Sequence, residues 1–190
     1  TQQVTVTPAA VPADENGQTV AYSLSPTTVD FAAVTIDSGT GQVSISAVSH
    51  GNGSQLFTIT ANDQQAVNNT ATQTFTLTVN AVNDAPLFSL SGDVTVEEDF
   101  STTQEVIVTT REVPSDEIDQ TVTYSISPTS VDFASVSIDS STGQVSISSI
   151  SSVSHGNGYQ LFTVTADDHQ SANNTASQTF TLTVTEVNDA

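Results

Sequence analysis

The 190 residues include no cysteine, no methionine and no tryptophan, and Arg111 is the single residue of Lys or Arg type. Without cysteine, neither a disulfide nor a thiolate metal site can hold a small domain together, so any staple must be an oxygen-ligated ion or the core itself. Without tryptophan or methionine, that core must come from Val, Ile, Leu, Phe and Tyr. With 21 acids and a formal net charge of −20, the surface repels phosphate backbones and anionic lipid heads. Such a surface excludes nucleic acid as a partner and direct insertion into a membrane. No apolar run approaches the roughly 18 residues of a membrane span and no leader pattern is present, as expected of a mature fragment.

Acidic chains are often disordered. Here only 12% of residues are charged and 36% are hydrophobic, and the apolar residues alternate regularly, so a folded chain is expected. Internal repetition is the strongest signal. Residues 11–46, from "VPADENGQTVAYSLS" to "GTGQVSIS", return as residues 113–148, and residues 48–79 return as residues 153–184. The second copy is longer near Ser149 to Ser151, a change that a surface turn absorbs. Two domains follow, 1–84 and 85–190. Thr1 aligns with Thr103, so the stretch before it, including "GDVTVEEDF", has no counterpart in the first copy. The first domain is therefore expected to lack its opening strand.

Within each copy the short-range pattern has a period of two. Val20, Tyr22 and Leu24 alternate with Thr19, Ala21 and Ser23, and Phe75, Leu77 and Val79 alternate with Thr74, Thr76 and Thr78. One face is apolar and the other bears hydroxyls, the pattern of a sheet with one side in water. Turn clusters such as "DSGTG", "HGNG" and "NNTA" separate these runs. The pattern predicts an all-β protein: two tandem Greek-key β-sandwiches of cadherin or immunoglobulin-like type, about seven strands each, with an up-and-down barrel as the alternative.

In order, "VTVEED", "SDEIDQTVTYSIS", "FASVSIDSSTGQVSI", "QLFTVTADD", "QTFTLTV" and "EVNDA" run through the second copy, and the first copy matches from Asp14 onward. Taken together, these pieces resemble tandem bacterial cadherin-like repeats of the dystroglycan type, found in large calcium-dependent surface adhesins. The resemblance implies Ca2+ at the junctions. It assigns Asn83, Asp84 and the carbonyl of Ala85 as ligands together with Asp116 and Asp168. Asp14, Asn16 and Asp63 would serve a junction with a preceding repeat, and Glu98, Asn188 and Asp189 a junction with a following one. Calcium takes six to eight oxygens from carboxylates, amides and main-chain carbonyls, and the linker offers all three kinds.

The sequence also departs from the family pattern. Ile118 stands where the loop's second acid belongs, "SHGNG" carries no acid, and Ala81 replaces the linker's first Asp. Fewer ions per junction are expected than in other cadherins. Asp37 and Asp139, in "IDS", are read as turn formers, Glu97 and Asp99 as solvated acids, His50 and His155 as hairpin residues; His169 has no evident partner.

No nucleophile elbow, metalloprotease motif or phosphate-binding glycine loop is present, so the chain is read as not an enzyme. The sequence favours a calcium-rigidified extender repeat of an extracellular, bacterial-surface adhesin, its partners being neighbouring repeats of the same polypeptide. The alternative is a calcium-dependent module that binds carbohydrate or another copy of itself, with Tyr159 as the one aromatic free of the core-facing pattern.

Overall fold

The structure is a computed structural model and describes residues 2–7, 17–150 and 156–188. Every regular element among these residues is a strand. The chain divides into two compact units, Thr1–Val82 and Asn83–Ala190.

Unit 1 contains β1 (Gln2–Val4), β2 (Ala21–Ser25), β3 (Ala32–Ile36), β4 (Val43–Ala47), β5 (Gly53–Asn62) and β6 (Thr70–Val79). They form two three-stranded sheets, β1-β4-β3 and β2-β5-β6. The period of two in the sequence turns one face of each sheet inward. Leu24, Ala32, Val34, Val43, Phe57 and Ile59 are buried there. Phe57 lies opposite Phe75 across the β5–β6 ladder, with the rings stacked at 5.2 Å.

Unit 2 contains β7 (Phe88–Leu90), β8 (Val94–Glu97), β9 (Gln104–Val106), β10 (Val108–Thr110), β11 (Thr123–Ser127), β12 (Ser135–Ile138), β13 (Val145–Ser148), β14 (Gly158–Asp167) and β15 (Thr175–Thr185). One sheet runs β11-β14-β15-β8, a second runs β12-β13-β9, and β7 pairs with β10. The chain passes between sheets from β10 to β11, from β11 to β12 and from β13 to β14. That alternation is a Greek-key sandwich and not an up-and-down barrel. The opening strand is divided: β7 pairs antiparallel with β10, and β8 pairs parallel with β15. The switch occurs at Gly92, whose φ of 118 lies in a region that residues with a Cβ rarely adopt.

Among the described residues the two units differ at one sheet edge. Unit 1 has no strand at the place of β8 among the described residues, and β6 is the edge of its sheet. In unit 2, Phe180, Leu182 and Val184 on β15 are 1%, 0% and 3% exposed. Their counterparts Phe75, Leu77 and Val79 on β6 are only half-buried. In unit 2 the opening segment adds Leu90, Val94, Val96 and Phe100 against the core. The difference in exposure goes with the neighbouring strand, because residues 73–79 and 178–184 are identical.

The "IDS" turns hold their shape through an acid. Asp139 Oδ1 accepts the N–H groups of Ser141 and Thr142, each at 2.8 Å, and the Gly143 N–H reaches the Asp139 carbonyl. Gly143 has φ 72, and a Cβ there would sit 2.6 Å from Val108 Cγ2, so this turn needs glycine. The Thr142 N–H, then that of Ser141, holds the Asp139 carboxyl below its ordinary 3.8. At Asp37, the N–H and hydroxyl of Thr40 and the N–H of Gly39 do the same.

Two outcomes are expected in thermal or denaturant unfolding. Phe180→Ala should destabilise unit 2 by about 3–5 kcal/mol, whereas Phe75→Ala should cost unit 1 roughly half of that, because its ring is already partly in water. Asp139→Ala should lower the melting temperature of unit 2 near neutrality. A carboxylate with a depressed folded-state pKa stabilises above its unfolded value, and that stabilisation fades as pH falls through the folded value. Parent and variant melting curves should thus converge in acid below the ordinary carboxylate range.

Candidate functional site

The linker segment that opens unit 2 is seated on that unit by hydrogen bonds. Pro86 fixes its own φ and biases Ala85 toward extended backbone, which presents Asn83 and Asp84 on one short arm. Asn83 Nδ2 donates to Asp168 Oδ2 at 3.0 Å and to the main-chain carbonyls of Ala172 at 3.0 Å and Asn173 at 3.2 Å. A fourth oxygen, the Asp84 carbonyl, lies 3.3 Å away. Gln120 Nε2 donates to Asn83 Oδ1 at 2.8 Å, and Asn173 Nδ2 donates to the Asn83 carbonyl at 2.9 Å. Every polar atom of the Asn83 side chain is thereby engaged.

Three elements bring these partners together. Asp168 follows the last residue of β14, and Asn173 sits in the β14–β15 turn with φ 50, a left-handed conformation that Asn tolerates. Glu117 and Gln120 come from the loop between β10 and β11. Glu117 is buried, and its Oε1 accepts the Asp84 N–H at 2.5 Å. Asp168, also buried, accepts the Gln170 N–H on Oδ1 at 3.0 Å. Burying carboxylates is costly unless N–H donors or cations face them, and here main-chain and amide donors do so.

A second acidic position lies at the other end of β15. Glu98 directly follows β8; its N–H bonds the Thr185 carbonyl at 2.8 Å, and its Oε1 accepts the Val187 N–H at 2.8 Å. Glu98 is 5% exposed, and among the described residues its buried Oε2 has no hydrogen-bond partner. Asn188 is exposed nearby in sequence.

Among the residues singled out from sequence, Asn83, Asp84 and Asp168 meet at the linker seat, and Ala85 is half-buried beside them in the chain. Asp116 is exposed, and the carboxylate that reaches the Asp84 N–H is that of its neighbour Glu117. Asp63 is half-buried in unit 1 and accepts the Gln65 N–H at 3.0 Å, as Asp168 accepts that of Gln170. Asp14, Asn16 and Asp189 lie outside the described residues. Tyr159 is 69% exposed, on the same strand as Leu161 at 48%. His169 acquires a partner that the sequence did not suggest: its Nε2 is 3.0 Å from Thr123 Oγ1. Sequence reasoning missed Glu117, Gln120 and Asn173. The signal that could have found them is their exact return in the first copy as Glu15, Gln18 and Asn68.

The donor chemistry suits a hard cation: carboxylate, amide and carbonyl oxygens with no sulfur or imidazole among them. Glu98 Oε2 supplies the direct observation, a buried carboxyl oxygen without a hydrogen-bond partner among the described residues. The linker seat differs, since its oxygens already face N–H groups. Among the described residues no group of three or more His, Asp or Glu is gathered closely enough to hold a metal ion. The oxygen donors resemble calcium ligands in kind, but among the described residues they are not gathered into a site.

No family model matches the chain, and no curated protein does. Its neighbours among solved structures are cadherin extracellular domains. Mouse cadherin-23 EC22-24 is 20% identical with a TM-score of 0.52, over 89% of this chain and 54% of that one. Protocadherin gamma B2 extracellular cadherin domains 1-5 are 13% identical with a TM-score of 0.52, over 90% and 33%. PcdhgB3 EC1-4 is 13% identical with a TM-score of 0.51, over 90% and 41%. This chain thus spans about half or less of each of those chains. At such identities the likeness is one of fold.

The linker seat makes its own prediction. Asn83→Ala or Glu117→Ala should destabilise unit 2 by about 1–3 kcal/mol, since each leaves buried groups without partners. Glu117→Gln, which keeps an acceptor for the Asp84 N–H, should cost less than Glu117→Ala in the same denaturant titration.

Proposed function

We propose that the chain is a calcium-rigidified extracellular repeat, an extender segment of a bacterial cell-surface adhesin whose partners are neighbouring repeats of the same polypeptide. The observation that carries this reading is the buried, unpartnered Oε2 of Glu98 beside the Val187 N–H. A divalent cation there would draw on Glu98 with Asn188 and Asp189. Asp84, Asp116 and Asp168, with Asn83 and the Ala85 carbonyl, are the candidate ligands at the linker, and Asp14, Asn16 and Asp63 are those of unit 1. Calcium would supply positive charge where carboxylates otherwise repel one another, and would limit the freedom of the segments that carry them. Cadherin extracellular domains as structural neighbours support an adhesive role, and the acid-rich surface suits a cation-rich medium outside the cell.

A second reading is a module that binds carbohydrate or a second copy. Its specific support is Tyr159, exposed beside Leu161 on the outer face of β14.

Calcium titration of the whole chain, followed by thermal unfolding and X-ray scattering, tests the first reading. Saturation at about a hundredfold over the dissociation constant should stabilise the binding unit by about 2.7 kcal/mol. Scattering should give a larger maximum dimension with calcium than with chelator. Glu98→Gln should remove much of the gain in unit 2. Unchanged melting and dimensions would sink the proposal, and tight glycan binding lost on Tyr159→Ala would favour the second reading.

A further inference from the structure

We propose that Thr123, Asp167 and His169 form a side-chain clasp that determines how firmly the linker arm is held on unit 2. The clasp acts through hydrogen bonds alone and needs no calcium. Its signature is a contrast inside the chain: Thr123, Asp167 and His169 align with Ala21, Asn62 and Gln64, so all three polar positions change together between the copies. The neighbouring strand positions that differ, Leu24 against Ile126 and Ile59 against Val164, only exchange apolar residues.

The backbone does not account for the change. Both copies have one register, with Thr123 opposite Asp167 as Ala21 is opposite Asn62. His169 has φ 63 and Gln64 has φ 64, and each N–H is accepted by the side chain two residues before it, at 2.8 Å by Asp167 Oδ1 and at 2.6 Å by Asn62 Oδ1. Unit 1 therefore makes the same turn without histidine. What unit 2 adds is a tie across strands: His169 Nε2 lies 3.0 Å from Thr123 Oγ1 on β11, and Asp167 Oδ1 also accepts Asn174 Nδ2 at 3.2 Å. Ala21 has no polar side-chain atom with which to make such a tie.

The turn fastened in this way is the one that carries the linker seat. Asp168 Oδ2 and the carbonyls of Ala172 and Asn173, all accepting from Asn83, flank His169 in the chain. Opening this turn must break the Thr123–His169 bond as well as the turn's own bonds. A reactive hydroxyl is the competing reading of the same three residues. His169 Nδ1 is 3.9 Å from Asp167 Oδ1, beyond hydrogen-bond reach, and the histidine side chain is 57% exposed. An activated nucleophile needs its base oriented by a hydrogen-bonded third group, so the trio is a clasp.

Amide hydrogen exchange of the full chain in chelator tests this, with any effect of calcium on the same turn kept apart. His169→Gln and Thr123→Ala install the unit 1 residues on a backbone that unit 1 already adopts. Each should speed exchange at Asp84 and Gln170, whose N–H groups bond Glu117 and Asp168, by about two- to tenfold, the range of one net hydrogen bond. The double variant should do no more than either single one, because the bond is shared. Amides of Phe162 and Phe180, paired at the centre of the β14–β15 ladder, should not change. In the converse experiment, Ala21→Thr, Asn62→Asp and Gln64→His together should slow exchange at Gln65, whose N–H bonds Asp63. Unchanged exchange at Asp84 and Gln170, effects that multiply in the double variant, equal acceleration at Phe162 and Phe180, or no slowing at Gln65 overturns the proposal.

Discussion

The parallel pairing of β8 with β15 is the contact on which the rest of unit 2 depends. An antiparallel hairpin such as β14–β15 forms from local sequence, but its outer edge and one side of its apolar row remain open until another strand arrives. β8 reaches that edge only because the chain leaves the opposite sheet after β7 and turns at Gly92. The four pairs it makes do two things. They bury Phe180, Leu182 and Val184 almost completely, and they carry Glu98 to the Val187 N–H. Fully burying such side chains is worth about 1.5–3 kcal/mol each, so one four-residue strand commands a large share of the unit's stability. Packing and the candidate cation position share this single cause.

A net charge of −20 would be expected to strain so small a chain. The strands carry little of it. Their outer faces are Thr and Ser, which keep β-branching and hydrogen-bond across strands, as Thr165 does with Ser177 at 2.9 Å and Ser54 with Thr78 at 3.1 Å. Many of the acids stand instead in turns and at strand ends, where main-chain N–H groups face them. Asp37, Asp139 and Asp167 show the arrangement most clearly; at Asp167 the His169 N–H holds the carboxyl below its ordinary range. Hydroxyl faces and N–H-capped turns are thus two halves of one solution to acidity without lysine.

Alternation made the strands legible from sequence, because a period of two determines which side chains turn inward. The division of the opening strand was not legible. "FSLSGDVTVEED" reads as one run, and only the sheet it meets on each side of Gly92 separates β7 from β8. At the linker seat the sequence pointed to Asn83, Asp84 and Asp168 but not to Glu117, Gln120 or Asn173. In the loop after β10, Asp116 and Glu117 are adjacent acids, and sequence alone favours the one in the family's position. Main-chain turns decide which of two neighbours points inward, and here Pro114 and Gln120 bond through Glu117, fixing its backbone beneath Asp84. Asn173 acts through both its carbonyl and its side-chain amide, presented by a left-handed turn whose place in the fold the sequence alone does not give.

The two ends of β15 then pose different chemical problems. At the linker, four oxygens surround one amide nitrogen that has two hydrogens to give, so Asn83 occupies the centre of an oxygen cage as an N–H donor. At Glu98 the geometry is the reverse: one carboxylate oxygen takes a main-chain N–H and its twin takes none. A buried carboxyl oxygen without a hydrogen-bond partner is costly to a folded unit, whereas a shared amide hydrogen is merely weak. The two ends of β15 therefore differ in hydrogen bonding: every polar atom of the Asn83 side chain is engaged, whereas among the described residues one Glu98 oxygen has no partner.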